Sequence, residues 1–222
     1  MSHKAFTLAE VLITLGIIGV VAAMTLPAVI ANSRKHEVVT KLEKIYSVMN
    51  QAINMSISEY GDVTFWAEDC GNSSAPTCTV EQSMEWFNKY IGKHLQIIRT
   101  VNSDDGNGFY VYFKDGSILL VRRCLYDMFV YINEKALANK QRGINEFMFR
   151  FNPVLLAGQD YERNKYTLKP TFEPYSWSWN GTREGLINAG NGFGCMETNR
   201  AYCTKLIQYD GWKINSDYPL KF

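Results

Sequence analysis

The feature that most constrains this chain is an uncharged apolar stretch near its N-terminus, Val11 to Ala31. Because a helix rises about 1.5 Å per residue, this stretch is long enough to cross the hydrocarbon core of a bilayer. A single carboxylate, Glu10, stands directly before it. An acid inside such a segment costs on the order of 2–3 kcal/mol near the membrane centre and less near an end. An ordinary anchor gains nothing from this acid, so Glu10 is a candidate functional residue.

The helical pattern continues beyond the apolar stretch in an amphipathic form. Apolar residues recur every three or four positions across Val38–Ile57, with charged and polar residues on the opposite face. This periodicity predicts a helix that buries one side. We therefore predict one helix from Phe6 to about Ser58, ending before Gly61 and bending near Pro27, whose ring removes a backbone donor.

The residues around Glu10 carry a family resemblance. Lys4 is followed by Ala5-Phe6-Thr7-Leu8-Ala9-Glu10 and then by Val11-Leu12-Ile13. This run resembles the class III leader of type IV pilins and type II secretion pseudopilins. That family has a short basic leader, a small residue before the cut, then Phe-Thr-Leu, and Glu as the fifth mature residue. Gly19 and Pro27 fall where such stems have a glycine and a helix-bending proline, whereas Ala5 stands where the family usually has Gly.

The resemblance implies a processing route and a mode of assembly. It implies cleavage after Ala5 and N-methylation of Phe6 by a prepilin peptidase and methyltransferase. It also implies polymerisation with other pilins through the apolar helix, where Glu10, Gly19 and Pro27 serve assembly. The carboxylate of Glu10 would then neutralise the new α-amino group of a neighbouring subunit, a pairing much stronger in apolar surroundings than in water.

The same resemblance implies a cellular route for the protein. The precursor would lie in the bacterial inner membrane, with the lipid bilayer and an assembly platform as partners. It would then pass to an extracellular filament, the cell surface or the periplasm.

Two simpler interpretations of the apolar stretch are a plain membrane anchor and a secretory signal cut near Ala22-Ala23-Met24. Both leave Glu10 and the Phe-Thr-Leu pattern unexplained. The flanking charges and the leader predict opposite orientations in the membrane. Lys4 stands nearly alone before the stretch, and several basic residues follow it. Counting those charges places the C-terminal part in the cytoplasm. Cysteine usage and the leader place it on the opposite side.

The charge balance and the motif content argue against two classes of protein. The chain has 23 Lys and Arg against 22 Asp and Glu, and removing residues 1–5 takes away Lys4 and leaves 22 against 22. This neutrality disfavours a strong nucleic-acid-binding surface. The sequence has no Gly-rich phosphate loop, nucleophile elbow or zincin helix. We therefore predict a protein that is not an enzyme and needs no cofactor.

Five cysteines are many for a cytosolic chain of this size: Cys70, Cys78, Cys124, Cys195 and Cys203. The first two and the last two have the same separation, which favours disulfides 70–78 and 195–203, with Cys124 buried and free in a strand. Leaving out one cysteine in turn and pairing the rest allows fifteen arrangements, so other pairings stay open. Neither pair has the spacing typical of zinc, and we predict no metal site. The oxygen-rich run 102–107 is interpreted as a solvated turn rather than a cation site.

The remaining residues predict an α+β head. Thr79-Val80-Glu81-Gln82 resembles a capping box that opens a helix ending at Gly92. Strands are predicted over 95–101, 109–113, 118–121, 129–132 and 147–151, with a hairpin turn at 114–117. An antiparallel sheet can present one apolar face to the long helix. A long N-terminal α-helix packed on an antiparallel β-sheet is the arrangement of pilin heads.

The C-terminal region is rich in aromatic residues. Tyr175, Trp177 and Trp179 are candidates for a surface that stacks on a glycan or adheres to a partner, and the alternative is a cover over one edge of the sheet. The run 188–194 (NAGNGFG) is predicted to be a flexible loop, followed by a short helix from Glu197 to Gln208.

These observations predict four segments. They are a cleaved leader (1–5), a transmembrane and assembly helix (6–31), an amphipathic half of the stem (32–61) and a globular head (62–222). The predicted function is a structural subunit of a type IV pilus or related filament. The alternatives are a pseudopilin of a type II secretion system and a membrane-anchored surface-binding module that does not polymerise.

Overall fold

The computed structural model describes residues 7–66, 70–72, 75–123, 125–152 and 169–222. Two compact units are present, residues 1–37 with Phe222 and residues 38–221. Helix α1 runs from Leu8 to Tyr60 and continues through Pro27. It ends where Gly61 adopts a φ of 84°, a left-handed conformation that glycine reaches without strain. The predicted single helix is thereby confirmed over the described residues, and Phe6 lies outside them.

A six-stranded antiparallel sheet forms the head, and each strand pairs with the next along the chain. The strands are β3 (Ile97–Asn102), β4 (Gly108–Phe113), β5 (Ile118–Arg122), β6 (Asp127–Tyr131), β7 (Glu146–Asn152) and β8 (Lys169–Pro174). A separate short pair joins β1 (Gly71–Asn72) to β2 (Ala75–Pro76). Five strands of the large sheet were predicted and are confirmed. Strand β8 was not predicted, and β3 begins two residues late because Gly92–His94 forms a 3₁₀ turn.

The head core combines the amphipathic part of α1 with one face of this sheet. The helix buries a stripe of side chains: Val38, Leu42, Ile45, Met49, Ala52 and Ile53. The central strands bury large side chains in the head: Phe109, Val111, Leu119, Val121, Val130, Phe147 and Phe149. Four consecutive residues of β5 (Ile118–Val121) and of β6 (Met128–Tyr131) are buried, so both faces of these two strands are covered. The α+β class is confirmed.

A side chain of α1 covers the backbone of the edge strand β8. The N–H of Phe172 donates to Oδ1 of Asn50 at 2.8 Å, and Nδ2 of Asn50 donates to the carbonyl of Phe172 at 3.0 Å. An edge strand otherwise presents unpaired donors and acceptors to other chains. Asn50 therefore closes this edge of the sheet at one residue.

Helix α2 (Val80–Tyr90) begins with the predicted capping box. The Thr79 hydroxyl accepts from the N–H of Gln82, and the Gln82 side chain accepts from the N–H of Thr79. Phe87 on this helix is fully buried and meets Phe109 edge to face, with 5.6 Å between ring centroids. The capping box thus sets the start of a helix that packs on the sheet.

Three short helices complete the described head: α3 (Glu134–Ala138), α4 (Arg183–Ile187) and α5 (Cys203–Tyr209). The prediction of a helix from Glu197 was wrong at its start. The carboxylate of Glu197 instead accepts hydrogen bonds from the N–H groups of Gly190 and Gly194. Arg200 adopts a φ of 54°, which a right-handed helix excludes.

Candidate assembly site

Thr7 and Glu10 form a capping box at the start of α1. The Thr7 N–H donates to Oε2 of Glu10 at 2.9 Å, and the Thr7 hydroxyl donates to the same oxygen at 2.8 Å. In return the N–H of Glu10 donates to Oγ1 of Thr7 at 3.3 Å. Two backbone donors that a helix start leaves without partners are satisfied in this way.

This geometry corrects one step of the sequence argument. The interpretation that Glu10 has no structural role is wrong, because Glu10 caps the helix of its own chain. Only one carboxylate oxygen is used, since Oε1 of Glu10 accepts no hydrogen bond from the described residues. A second role toward a neighbouring amine is therefore compatible with the cap.

The helix that follows exposes its apolar side chains along its length. The large apolar side chains from Leu8 to Ile30 are between 42% and 79% exposed. By length and composition this helix is able to cross a membrane. The hydroxyls of Thr14 and Thr25 donate to the carbonyls of Val11 and Val21, both at 2.9 Å. Since these hydroxyls are satisfied within the helix, they do not prevent its burial in an apolar medium.

Gly19 and Pro27 lie further along the same helix. No atom lies within 4 Å of the position that a Cβ on Gly19 would occupy. Pro27 lies inside the helix, where it supplies no N–H to the backbone ladder. Seventeen residues separate Glu10 from Pro27, about 25 Å of helix, so the structure does not bring the three residues into one cluster. Ala5 and Phe6, the predicted processing residues, lie outside the described residues.

Two disulfides crosslink the described part of the head. Cys70 is joined to Cys78 and Cys195 to Cys203, with Cα atoms 5.0 Å and 4.7 Å apart. These are the pairs that equal spacing favoured, and the prediction of a free Cys124 lies outside the described residues.

The loop 188–194, which was predicted to be flexible, makes several hydrogen bonds within the head. Beside the two bonds to Glu197, Oδ1 of Asn191 accepts from the N–H of Phe193 at 3.0 Å. The N–H of Asn199 donates to the carbonyl of Gly192 at 3.0 Å. The disulfide that follows fixes the end of the same segment.

The predicted aromatic binding surface is wrong for two of its three members. Tyr175 and Trp179 are buried, with 6% and 8% exposure. Trp179 donates its indole N–H to the carbonyl of Thr182 at 2.8 Å. Trp177 is half-buried, and the guanidinium of Arg150 lies 4.9 Å from its ring centroid. These rings are engaged within the head and do not form an open stacking surface.

The oxygen-rich turn after β3 uses its oxygens internally. Asp105 accepts from the Ser103 hydroxyl at 2.7 Å, from the Asn107 N–H at 3.0 Å and from Nη1 of Arg122 at 2.8 Å. These contacts, led by the Ser103 hydrogen bond, lower the pKa of Asp105 to about 2. Within the described residues, no three His, Cys, Asp or Glu side chains are placed to hold a metal ion.

Comparison with known families covers nearly the whole chain. Residues 28–222 match the model of a family described as a family of unknown function, DUF6613. The chain belongs to this family. Residues 1–26 match the model of the prokaryotic N-terminal methylation motif. The N-terminal segment of this DUF6613 member is therefore of the type IV pilin and pseudopilin kind, and the resemblance seen around Glu10 is confirmed. No curated protein and no solved structure matches the chain.

Sequence reasoning missed the part that Thr7 plays at this site. The signal was present, because Thr7 and Glu10 have the Thr-x-x-Glu spacing of a capping box directly before an apolar run. The same spacing pattern was recognised at Thr79. At Thr7 and Glu10 the same spacing was interpreted only as part of the leader motif.

Proposed function

We propose that this DUF6613 member is a structural subunit of a type IV pilus or related filament. It is cut after Ala5, methylated on Phe6 and polymerised through the apolar half of α1. One observation carries the proposal: the methylation motif at residues 1–26 opens a helix whose apolar side chains are exposed from Leu8 to Ile30. A contiguous apolar surface of this length in water marks a membrane or protein contact.

The exposed helix gives polymerisation a physical basis. In the bilayer its apolar side chains contact lipid, and in a filament the same side chains contact other stems. Transfer between the two surroundings is then nearly balanced, because both are apolar. Packing of one copy against a different surface of the next produces an open filament rather than a closed ring.

Glu10 gives the assembly its register in this proposal. Cleavage before Phe6 creates an α-amino group, and Oε1 of Glu10 is available to accept from the amine of a neighbouring copy. The pair is strong only where water is excluded, which happens when stems pack together. Glu10 therefore stabilises the packing arrangement in which its carboxylate lies beside the α-amino group of the neighbouring copy.

The proposed division of the chain follows from these roles. Residues 1–5 form the leader, 6–31 the membrane and assembly helix, 32–61 the amphipathic half of the stem and 62–222 the head. Pilin-type families are structural rather than enzymatic, which fits a subunit without catalysis. The processing enzyme, an inner-membrane assembly platform, the bilayer and other pilins are the proposed partners. A pseudopilin of a secretion system uses the same N-terminal chemistry.

The test is the mass and N-terminal sequence of the protein from two fractions of a host that has the processing peptidase. The fractions are the membrane and the sheared cell surface. We expect a chain that starts at N-methyl-Phe6 in both. An Ala5→Arg variant, which replaces the small residue before the cut, serves as the uncleaved control. A wild-type chain that still starts at Met1, or that starts near Met24, contradicts the proposal and leaves an anchored or secreted binding domain.

A further inference from the structure

A groove of about 300 Å³ lies in the head beside the amphipathic part of α1. Its walls come from α1, the segment after α2 and the turn between β4 and β5, and their apolar members are Ile45, Val48, Met55, Leu95 and Phe113. A cavity of about 150 Å³ lined by apolar side chains is enough to bind benzene. The groove therefore has room for an aromatic side chain.

The rim of the groove carries a positive charge. Lys44 lies on the rim and is paired with Asp115 at 2.8 Å. Lys114 lies next to that pair and is exposed, and it has no ion-pair partner among the described residues. The rim thus offers one cation to an incoming carboxylate.

Phe65 is an exposed aromatic side chain that fits such a groove. It is 83% exposed, more than any other large apolar side chain of the described residues. It ends a 3₁₀ turn, Val63–Phe65, and donates its N–H to the carbonyl of Asp62 at 3.0 Å. Val63 and Trp66 beside it are 1% and 5% exposed. These two buried neighbours and the turn hydrogen bond hold Phe65 outward, as expected for an interface residue.

Asp62 places a carboxylate close to this ring. Its side chain accepts from the N–H and the hydroxyl of Thr64 at 2.9 Å and 2.6 Å. These hydrogen bonds hold the pKa of Asp62 below its usual value, so the carboxylate is charged at neutral pH. The Phe65 turn is thus apolar and negative, and the groove is apolar and positive.

From these contacts we infer that Phe65 of one copy inserts into this groove of the next copy, with Asp62 facing Lys114. Phe65 does not line the groove of its own chain. Because the Phe65 turn and the groove are different surfaces, the contact is heterologous. It can therefore repeat from copy to copy without closing into a ring. The inference rests on the proposed function, since polymerisation through α1 is what brings successive heads together.

The test introduces a photocrosslinking amino acid at position 65 of the full chain, in a host that has the processing peptidase. We expect crosslinked dimers whose second peptide maps to residues 44–55, 94–96 or 113–117. The matched control carries the same amino acid at Tyr209, which is 50% exposed, and should not crosslink to the groove. Crosslinks from position 65 that map elsewhere, or none at all, overturn the inference.

Charge variants give a second and independent readout. Asp62→Asn keeps an oxygen for the Thr64 hydrogen bonds but removes the charge, and we expect a several-fold loss of sheared filament. The double variant Asp62→Lys with Lys114→Asp should recover much of the filament that Asp62→Lys alone loses. Phe65→Ala should reduce it on the order of tenfold. An unchanged yield for Phe65→Ala also overturns the inference.

The N-terminal residue of the crosslinked chain and the presence of filaments distinguish failure of the Phe65 contact from failure of the proposed function. A chain that starts at N-methyl-Phe6 and forms filaments, but crosslinks elsewhere, removes only the Phe65 contact. A chain that crosslinks into the groove without forming filaments keeps the contact and contradicts polymerisation.

Discussion

At the scale of single residues, substitutions can separate the capping role of Glu10 from its proposed role in assembly. Glu10→Gln keeps an oxygen that accepts from the Thr7 N–H, as glutamine does in other capping boxes, but removes the charge. We expect normal membrane levels of the chain and loss of filament. Thr7→Ala keeps the charge and removes the cap, at a cost of about 1 kcal/mol in helix stability. We expect this variant to retain most of its filament.

The measurement compares sheared filament at equal membrane levels of the two variants and the wild type. If Thr7→Ala loses filament as completely as Glu10→Gln, the cap rather than the charge controls assembly. Equal filament yield from Glu10→Gln and wild type would exclude a role for the charge.

Asp105 makes the head sensitive to acid. Its pKa in the folded protein is about 2, whereas an aspartate in an unfolded chain titrates near about 4. A lowered folded pKa gives stability that is present above the unfolded value and is lost as pH falls toward the folded value. Because the side chain is 49% exposed, we expect the effect to remain below about 1 kcal/mol.

The comparison variant is Asp105→Asn, which keeps an acceptor for the turn and removes the charge facing Arg122. Between pH 4 and pH 2, urea unfolding midpoints should fall more for wild type than for the variant. Parallel curves for the two proteins would contradict this assignment.

At the scale of elements, Asn50 joins α1 to the edge of the sheet. Asn50→Leu keeps the size of the side chain and leaves the N–H and carbonyl of Phe172 without their partner. We expect a loss of roughly 1–3 kcal/mol in the free energy of unfolding and faster hydrogen exchange at the Phe172 amide. Gln51→Leu is the control and should change little, because Gln51 is exposed and its side chain donates to the Ser47 hydroxyl on the same helix. Equal exchange at Phe172 in the two variants would contradict the role of Asn50.

The C-terminal disulfide is expected to contribute more than the N-terminal one. Each closes a short loop, which accounts for about 2–3 kcal/mol in the chain-entropy description. Cys195 and Cys203 are both fully buried, whereas Cys78 is half-buried. Replacing the buried pair by alanine therefore also loses packing. Urea midpoints should fall further for the Cys195→Ala, Cys203→Ala variant than for the Cys70→Ala, Cys78→Ala variant, and the reverse order would refute this ranking.

How far elements could be predicted from sequence depended on whether local signals decided their structure. Strands β4 and β5 are apolar runs on either side of a turn signal, and α2 opens with its own cap, so local residues were sufficient. Strand β8 contains Pro170 and Pro174, which argue against a central strand but are tolerated at an edge. The predicted helix does not begin at Glu197, because its carboxylate accepts hydrogen bonds from the N–H groups of Gly190 and Gly194 in the preceding loop. Exposure of Phe65 and burial of Tyr175 depend on tertiary packing, so sequence could not reveal them.

At the scale of the whole molecule, the apolar half of α1 contributes no buried residues to the core of the head. The buried residues of α1 begin at Val38, and the apolar side chains before Ile30 are exposed. A substitution in the apolar half should therefore change membrane insertion and assembly without changing the stability of the head. Ile17 is 60% exposed and lies near the middle of the apolar stretch, which makes it a suitable site.

Ile17→Lys tests this separation. A lysine at the centre of a membrane helix costs on the order of 2.5–3.5 kcal/mol for insertion, so we expect at least about a tenfold loss of sheared filament. The urea unfolding midpoint of the head, followed on the purified full chain in detergent, should match that of wild type. Ile17→Leu is the conservative control and should preserve both quantities. A lower unfolding midpoint for Ile17→Lys would mean that the head depends on the apolar half of α1 for its stability.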